Sequence, residues 1–182
     1  NKDQPWRTVR DAIADGTFLH YSSTCYYFAE KLTDEYRANK QTPPPIGLIH
    51  TAWGGSAIED WVDDETLASC TDTCHEQIKD EVDGGLYNRH GYSLLEWHGL
   101  PYVNMTIKGF LWYQGENNMN MVPKCVLGNS ERQEGYSCLM VGLVRLWRKL
   151  WSATPGTTDP LAPFVVVALP MSGTEGNPNI AL

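Results

Sequence analysis

The stretch Ile107-Lys108-Gly109-Phe110-Leu111-Trp112-Tyr113-Gln114-Gly115-Glu116-Asn117-Asn118 constrains the fold of this chain more than any other. Its first half is apolar and aromatic through Ile107, Phe110, Leu111, Trp112 and Tyr113, which suits an enclosed, pleated strand. The second half turns polar at once. Gln114, Glu116, Asn117 and Asn118 crowd hydrogen-bonding groups around Gly115, where the missing Cβ permits a tight bend. Open α/β sheets bind ligands at the carboxyl ends of their strands, and this bend stands at such an end. Amides and a carboxylate there suit an ester carbonyl, or the charge that develops on it; a plain polar turn after a core strand has the same composition.

The flanking segments supply partners for that strand. Tyr21, Cys25, Phe28, Ala29, Leu32 and Tyr36 step by three or four, which predicts an amphipathic helix over 17–38. Three consecutive prolines, Pro43 to Pro45, end it and lead into a short apolar strand, Ile46 to Thr51. Trp53-Gly54-Gly55-Ser56 is then a glycine turn. Ser56 and Glu59 have capping-box spacing for a helix over 57–68, whose N-terminal N–H groups are placed to receive negative charge. Periodicity returns over 136–151, through Leu139, Met140, Leu143, Leu146, Trp147 and Leu150. Phe164 to Leu169 is the most apolar, β-branched run in the chain. Strands at 46–51, 107–113 and 164–169 separated by helices predict a parallel sheet in one α/β domain over 1–182, with 1–16 a lead-in and 173–182 a tail. Residues 69–101 and 119–135 carry loop signals.

With 182 residues the chain is long enough for one sizeable core. A net charge of −8 argues against nucleic acid or an anionic membrane as the main partner. No apolar run reaches the length of about 18 residues that a spanning helix needs. Asn1-Lys2-Asp3-Gln4 lacks the features of a signal peptide, so a leader would lie upstream or have been removed. Seven Trp and nine Tyr fit either an aromatic core or a surface that faces sugars or small molecules. The five cysteines do not have zinc-site spacing. Short loop spacing predicts disulfides Cys70–Cys74 and Cys125–Cys138, with Cys25 a buried free thiol, and hence an oxidising compartment. The sequon Asn104-Met105-Thr106 points the same way.

Two blocks carry a family resemblance. Pro45-Ile46-Gly47-Leu48-Ile49 running into Trp53-Gly54-Gly55-Ser56-Ala57-Ile58-Glu59-Asp60-Trp61 resembles the "PIGLI…WGGTPIEAW" block of sialate O-acetylesterases. Lys108-Gly109 running into Trp112-Tyr113-Gln114-Gly115-Glu116-Asn117-Asn118 resembles their "KG…WYQGESN" block. The helix through Leu143-Val144-Arg145-Leu146-Trp147-Arg148 and the strand opening Pro163-Phe164 follow in the family's order, so that the resemblance covers about residues 18 to 172. It implies an SGNH-hydrolase fold, a flavodoxin-like three-layer α/β/α domain with a parallel sheet, incomplete in this chain. It also implies removal of O-acetyl groups from sialic acid or related sugars by a serine nucleophile with a histidine and an aspartate. No metal or cofactor is implied. Gly55 (or Gly54) would give a backbone donor to the oxyanion hole and Gln114 a side-chain amide, with Glu116 and Asn118 orienting Gln114 and the turn. Losing Gln114 is expected to slow the reaction and leave folding nearly unchanged.

The departures bear on the chemistry. The family's Gly-Gln-Ser-Asn-Met nucleophile block does not occur here, nor does its Asp-x-x-His-Pro-type block. Residues 89–103 match only loosely. Substitutes are poor: Ser56 lacks a nucleophile-elbow context and reads as a helix cap, His50 as a wall residue, His75, His90 and His98 as surface loop residues, and Asp63 and Asp64 as a solvated helix face. The expectation is a secreted or lysosomal carbohydrate O-acetylesterase whose serine lies outside these residues, on the remainder of the same protein. That remainder would be a longer polypeptide or an associated proteolytic fragment. The alternative is a catalytically inactive SGNH-like module that binds carbohydrate or serves structurally in an extracellular assembly.

Overall fold

A computed structural model describes residues 6–70, 93–120 and 134–169. They fall into two compact units, Asn1–Thr51 and Ala52–Leu182.

In the first unit, Thr8 caps α1 (Val9–Ala14): its side chain accepts from the Asp11 N–H at 3.1 Å. Gly16, at φ +79°, turns the chain into a 3₁₀ turn over Thr17–His20. The predicted helix is thereby divided, and its main part is α2 (Ser23–Ala38), capped by Ser22 on the Cys25 N–H at 3.3 Å. α2 closes in a Schellman arrangement, with Lys40 N–H on the Arg37 carbonyl and Gln41 N–H on the Tyr36 carbonyl, both 2.9 Å. Lys40 occupies the left-handed position there, at φ 57°. Cys25 is a free thiol, as expected, but half-buried, because α2 has no fully buried residue. The His50 ring sits edge-on to Tyr21, with centroids 5.4 Å apart.

The expected strand Ile46–Thr51 does not form. Its residues lie outside any regular element, and none of the described residues supplies it with a hydrogen-bonded neighbour. An apolar run allows extended backbone, but a strand exists only where an adjacent chain takes its N–H and carbonyl groups.

The second unit holds the sheet. β1 (Phe110–Trp112) pairs in parallel with β2 (Phe164–Val166), in the register Phe110–Phe164, Leu111–Val165, Trp112–Val166. The described sheet thus has two strands where three were expected, and both are shorter than their apolar runs. At the start of β1, Ile107 turns its N–H to the Thr158 hydroxyl at 3.0 Å instead of to a strand. Gly109 is needed where it stands, since a Cβ there would meet the Pro163 carbonyl oxygen at 2.9 Å.

The helix expected over 57–68 is also divided, into a 3₁₀ turn Ile58–Trp61 and α3 (Asp64–Ser69). Neither member of the expected capping box caps. The Ser56 hydroxyl donates to the Trp53 carbonyl at 2.8 Å and accepts from the Trp61 indole N–H at 3.0 Å, while Glu59 is buried. Asp60 instead accepts from the Ala57 N–H at 2.9 Å, and Asp63 accepts from the Thr66 N–H at 2.9 Å. Asp63 is therefore the cap of α3, not simply part of a solvated face. Further on come a π-helical turn, Leu95–Gly99, and a 3₁₀ turn, Leu100–Tyr102. α4 (Glu116–Asn120) follows β1, and α5 (Glu134–Trp151) precedes β2.

α5 organises the core. Leu139, Met140, Leu143, Leu146, Trp147 and Trp151 are buried along one stripe, against Ile58, Trp61, Phe110 and Trp112. Trp147 stands at its centre: its ring meets Phe110 at 5.6 Å, Trp112 at 5.7 Å and Trp151 at 5.6 Å, and its N–H donates to the Trp61 carbonyl at 3.1 Å.

A disulfide joins Cys70, at the end of α3, to Cys138 in α5, with Cα atoms 5.7 Å apart. This overturns both expected pairings; Cys74 and Cys125 lie outside the described residues. Spacing along the chain was a poor guide because α3 lies against α5. A Cβ on Gly142 would fall 2.5 Å from the Thr66 methyl, so the helices meet almost backbone to side chain there. Non-reducing peptide mapping is expected to recover Cys70 joined to Cys138. A bridge across a separation of 68 residues stabilises by about 4 kcal/mol in the chain-entropy account, so Cys138→Ser should lose an amount of that order. A Cys70–Cys74 peptide, or an unchanged unfolding midpoint in the variant, would count against it.

Candidate functional site

β1 ends at Trp112, and Tyr113 and Gln114 carry the chain to Gly115, whose φ of +143° an L side chain rarely adopts. A Cβ at Gly115 would also come within 3.0 Å of the Leu169 side chain. That bend starts α4 at Glu116 and sets Gln114 at the carboxyl end of the strand, as the sequence predicts. Across from it is the turn Trp53–Ser56, with Gly55 in the left-handed region at φ +78°. Gly54 and Gly55 are exposed, and neither backbone N–H has a partner among the described residues.

Side chains after β1 grip this turn. Gln114 Nε2 donates to the Ser56 carbonyl at 3.1 Å and to Asn118 Oδ1 at 2.7 Å. Asn117 donates its amide to the Gly55 carbonyl. Asn118, itself buried, accepts from the Ile58 N–H at 3.1 Å and donates from Nδ2 to Glu59 Oε2 at 2.8 Å. Gln114 Oε1 accepts from the Tyr136 hydroxyl at 2.9 Å, and that hydroxyl accepts from the Trp112 indole N–H at 3.3 Å. Burial raises the pKa of the Glu59 carboxyl, against the lowering effect of the Asn118 bond. Burial likewise raises the pKa of Tyr136.

The candidate residues Gly54, Gly55, Gln114 and Asn118 therefore gather at one place. Glu116 makes no hydrogen bond to Gln114 among the described residues, and its side chain is exposed. Asn104 is exposed in a separate turn. Ser56 is only 6% exposed, and its hydroxyl is taken up by Trp53 and Trp61. His98 is partly covered: its ring lies against Trp53 and Trp61, at 5.1 and 6.3 Å, and burial lowers its pKa. His75 and His90 lie outside the described residues. Glu59 and Tyr136 escape a reading of the sequence. One has the spacing of a cap and the other sits on the apolar stripe of a helix, and nothing in their spacing says that both reach the strand end. A groove of about 380 Å³ lined by Ile107, Lys108 and Gly156 to Pro160 lies apart from these residues.

Residues 20–126 match the family model described as carbohydrate esterase, sialic acid-specific acetylesterase. The chain belongs to this family. Within it, the chain is 31% identical over 172 residues to the sialate O-acetylesterase of Homo sapiens, covering 92% of this chain and 29% of that protein. It is 28% identical over 184 residues to the sialate O-acetylesterase of Rattus norvegicus, covering 86% of this chain and 31% of that protein. The chain thus spans less than a third of the length of these curated relatives. Both the Gly54-Gly55 turn and the Gln114 bend fall within the matched acetylesterase segment. An α/β fold agrees with the family, and the described part shows its small parallel sheet flanked by helices. Among the described residues no helix is long and apolar enough to cross a membrane.

Proposed function

We propose that these residues form the oxyanion-binding part of a carbohydrate O-acetylesterase acting on acetyl esters of sialic acid or related sugars. The fold would be the three-layer α/β/α sheet domain of SGNH hydrolases, with its further strands, serine, histidine and aspartate in polypeptide outside residues 1–182. The supporting observation is the meeting of Gln114 with the Gly55–Ser56 turn, through the 3.1 Å bond from Nε2 to the Ser56 carbonyl. An acetyl ester entering beside the turn would find the Gly54 and Gly55 N–H groups, which have no partner among the described residues, and a Gln114 N–H that the developing oxyanion would share with the Ser56 carbonyl. Of the two Nε2 bonds this is the longer, since the one to Asn118 is 2.7 Å.

The serine oxygen attacks the acetyl carbonyl while the histidine takes its proton. The tetrahedral oxyanion collapses, the sugar oxygen leaves with that proton, and water then frees acetate from the acetyl-serine. No metal or cofactor enters this sequence of steps. The Cys70–Cys138 bridge and the exposed Asn104 sequon support a secreted or lysosomal location, with Asn104 glycosylated. The sequestered hydroxyl of Ser56 supports its exclusion as the nucleophile.

Labelling the active protein with a fluorophosphonate and mapping the adduct tests the division of roles. The expected result is acetate release from O-acetylated sialic acid, abolished by the label, with the adduct on a serine outside residues 1–182. An adduct on Ser56, or acetate release that survives complete serine labelling, would refute the assignment.

A further inference from the structure

The hydrogen bonds through Gln114 run in one direction. Trp112 Nε1–H donates to the Tyr136 oxygen at 3.3 Å, and Tyr136 donates to Gln114 Oε1 at 2.9 Å. Gln114 Nε2 donates to Asn118 Oδ1 at 2.7 Å, and Asn118 Nδ2 donates to Glu59 Oε2 at 2.8 Å. The Glu59 oxygen that faces the Asn118 NH₂ accepts, which fixes the sense of Asn118 and through it that of Gln114. At the other end the Tyr136 hydroxyl accepts from the indole and has both Gln114 Oε1, at 2.9 Å, and the Gln114 carbonyl, at 3.2 Å, within reach of its one proton. The Ile58 N–H, 3.1 Å from Asn118 Oδ1, locks the same sense. Turning the Asn118 amide over would set its NH₂ against the Ile58 N–H and Gln114 Nε2, and its oxygen against the carboxylate. Turning the Gln114 amide over would place its oxygen against two acceptors, the Ser56 carbonyl and Asn118 Oδ1, and would take Oε1 away from the Tyr136 hydroxyl. Each flip replaces attractions by repulsions within a site whose Glu59, Asn118 and Trp112 are nine-tenths or more buried.

We infer that Glu59 and Tyr136 are positioning residues of the acetylesterase, the two poles of a directional relay that holds the Gln114 amide with its N–H groups toward the Gly55–Ser56 turn. The inference rests on the oxyanion role proposed for Gln114. Glu59 is suited to its end of the relay because one carboxylate oxygen is bound by Asn118 and the other is buried without a partner among the described residues. Among the described residues its carboxylate makes no hydrogen bond to a glycine of the turn, and it reaches Gln114 through Asn118. Tyr136 comes from α5, so the relay also ties the orientation of Gln114 to the helix that builds the core.

The test is steady-state kinetics on the active protein carrying Glu59→Met, Glu59→Gln, Tyr136→Phe and Gln114→Ala, singly and with the first and third each combined with Gln114→Ala. Glu59→Met and Tyr136→Phe should each lower kcat by about tenfold or more with KM little changed, because an ill-placed donor fails the transition state rather than the substrate. Glu59→Gln, whose amide oxygen still accepts from Asn118, should stay within about threefold of the parent. In the Gln114→Ala background neither Glu59→Met nor Tyr136→Phe should lower kcat further. A general structural weakening would cut kcat in both backgrounds, and that result would overturn the inference. Parent-like kcat in Glu59→Met and Tyr136→Phe beside an impaired Gln114→Ala would overturn the relay alone. A parent-like kcat in Gln114→Ala would overturn the oxyanion reading and the relay with it.

Discussion

Replacing Gln114 by Ala in the active protein is expected to lower kcat by about 10²–10³, the usual consequence of losing one oxyanion donor. The substrate would still bind, so KM should move much less than kcat. The structure changes the expected stability. The side chain is not a free amide at a strand end: it donates to Ser56 and Asn118 and accepts from Tyr136, the last at 2.9 Å. Removing it leaves the Ser56 carbonyl without this donor and Asn118 Oδ1 with one donor fewer, in a part-buried setting, while the Tyr136 hydroxyl keeps the Gln114 carbonyl at 3.2 Å. Such losses cost about 1–3 kcal/mol. Chemical unfolding of the variant should therefore show a measurable drop in midpoint, contrary to the sequence-based expectation of nearly unchanged folding. Acetate release at the parent rate would remove Gln114 from the mechanism, and an unaltered midpoint would remove it from the buried network.

Trp147→Ala should destabilise the fold strongly. The indole is 8% exposed and packs between Trp61, Phe110, Trp112, Trp151 and Phe164, so its loss opens a cavity that neighbouring rings held in both strands and α5 cannot easily refill. Large-to-small changes of this kind cost about 3–5 kcal/mol. The Trp61 carbonyl also loses the indole N–H that meets it at 3.1 Å. Trp147→Phe, which keeps an aromatic ring but not the donor, should fall between. A loss below about 1 kcal/mol in urea unfolding of Trp147→Ala would mean that the core is not centred on this residue.

The matched segment, the helix spacing and the strand end were legible in the sequence because each is written locally. Period-three-and-four spacing marks α2 and α5, and an aromatic run followed by Gln114-Gly115 marks a strand and its bend. Glycine at 55 answers to a local φ of +78° that other residues rarely adopt. Relations between distant residues were not legible. Cys70 pairs with Cys138 because α3 lies on α5, and the sequence does not contain that crossing. Ser56 and Glu59 have the spacing of a cap, yet other partners hold them: Trp53 and Trp61, close in sequence, take the hydroxyl, and the distant Asn118 takes the carboxylate. Ile46 to Thr51 has a strand's composition but not, among the described residues, the second chain whose backbone would make it one.

The sequence by itself determined which residues carry hydrogen-bonding chemistry and which local conformations they favour, since both follow from side-chain type and short-range sterics. Only the tertiary structure decided the direction in which the Gln114 amide points. A primary amide has a donor and an acceptor at nearly equivalent positions, and its orientation is set by what surrounds it. Here the surroundings are Trp112, Tyr136, Asn118 and Glu59, which long-range packing brings to one strand end.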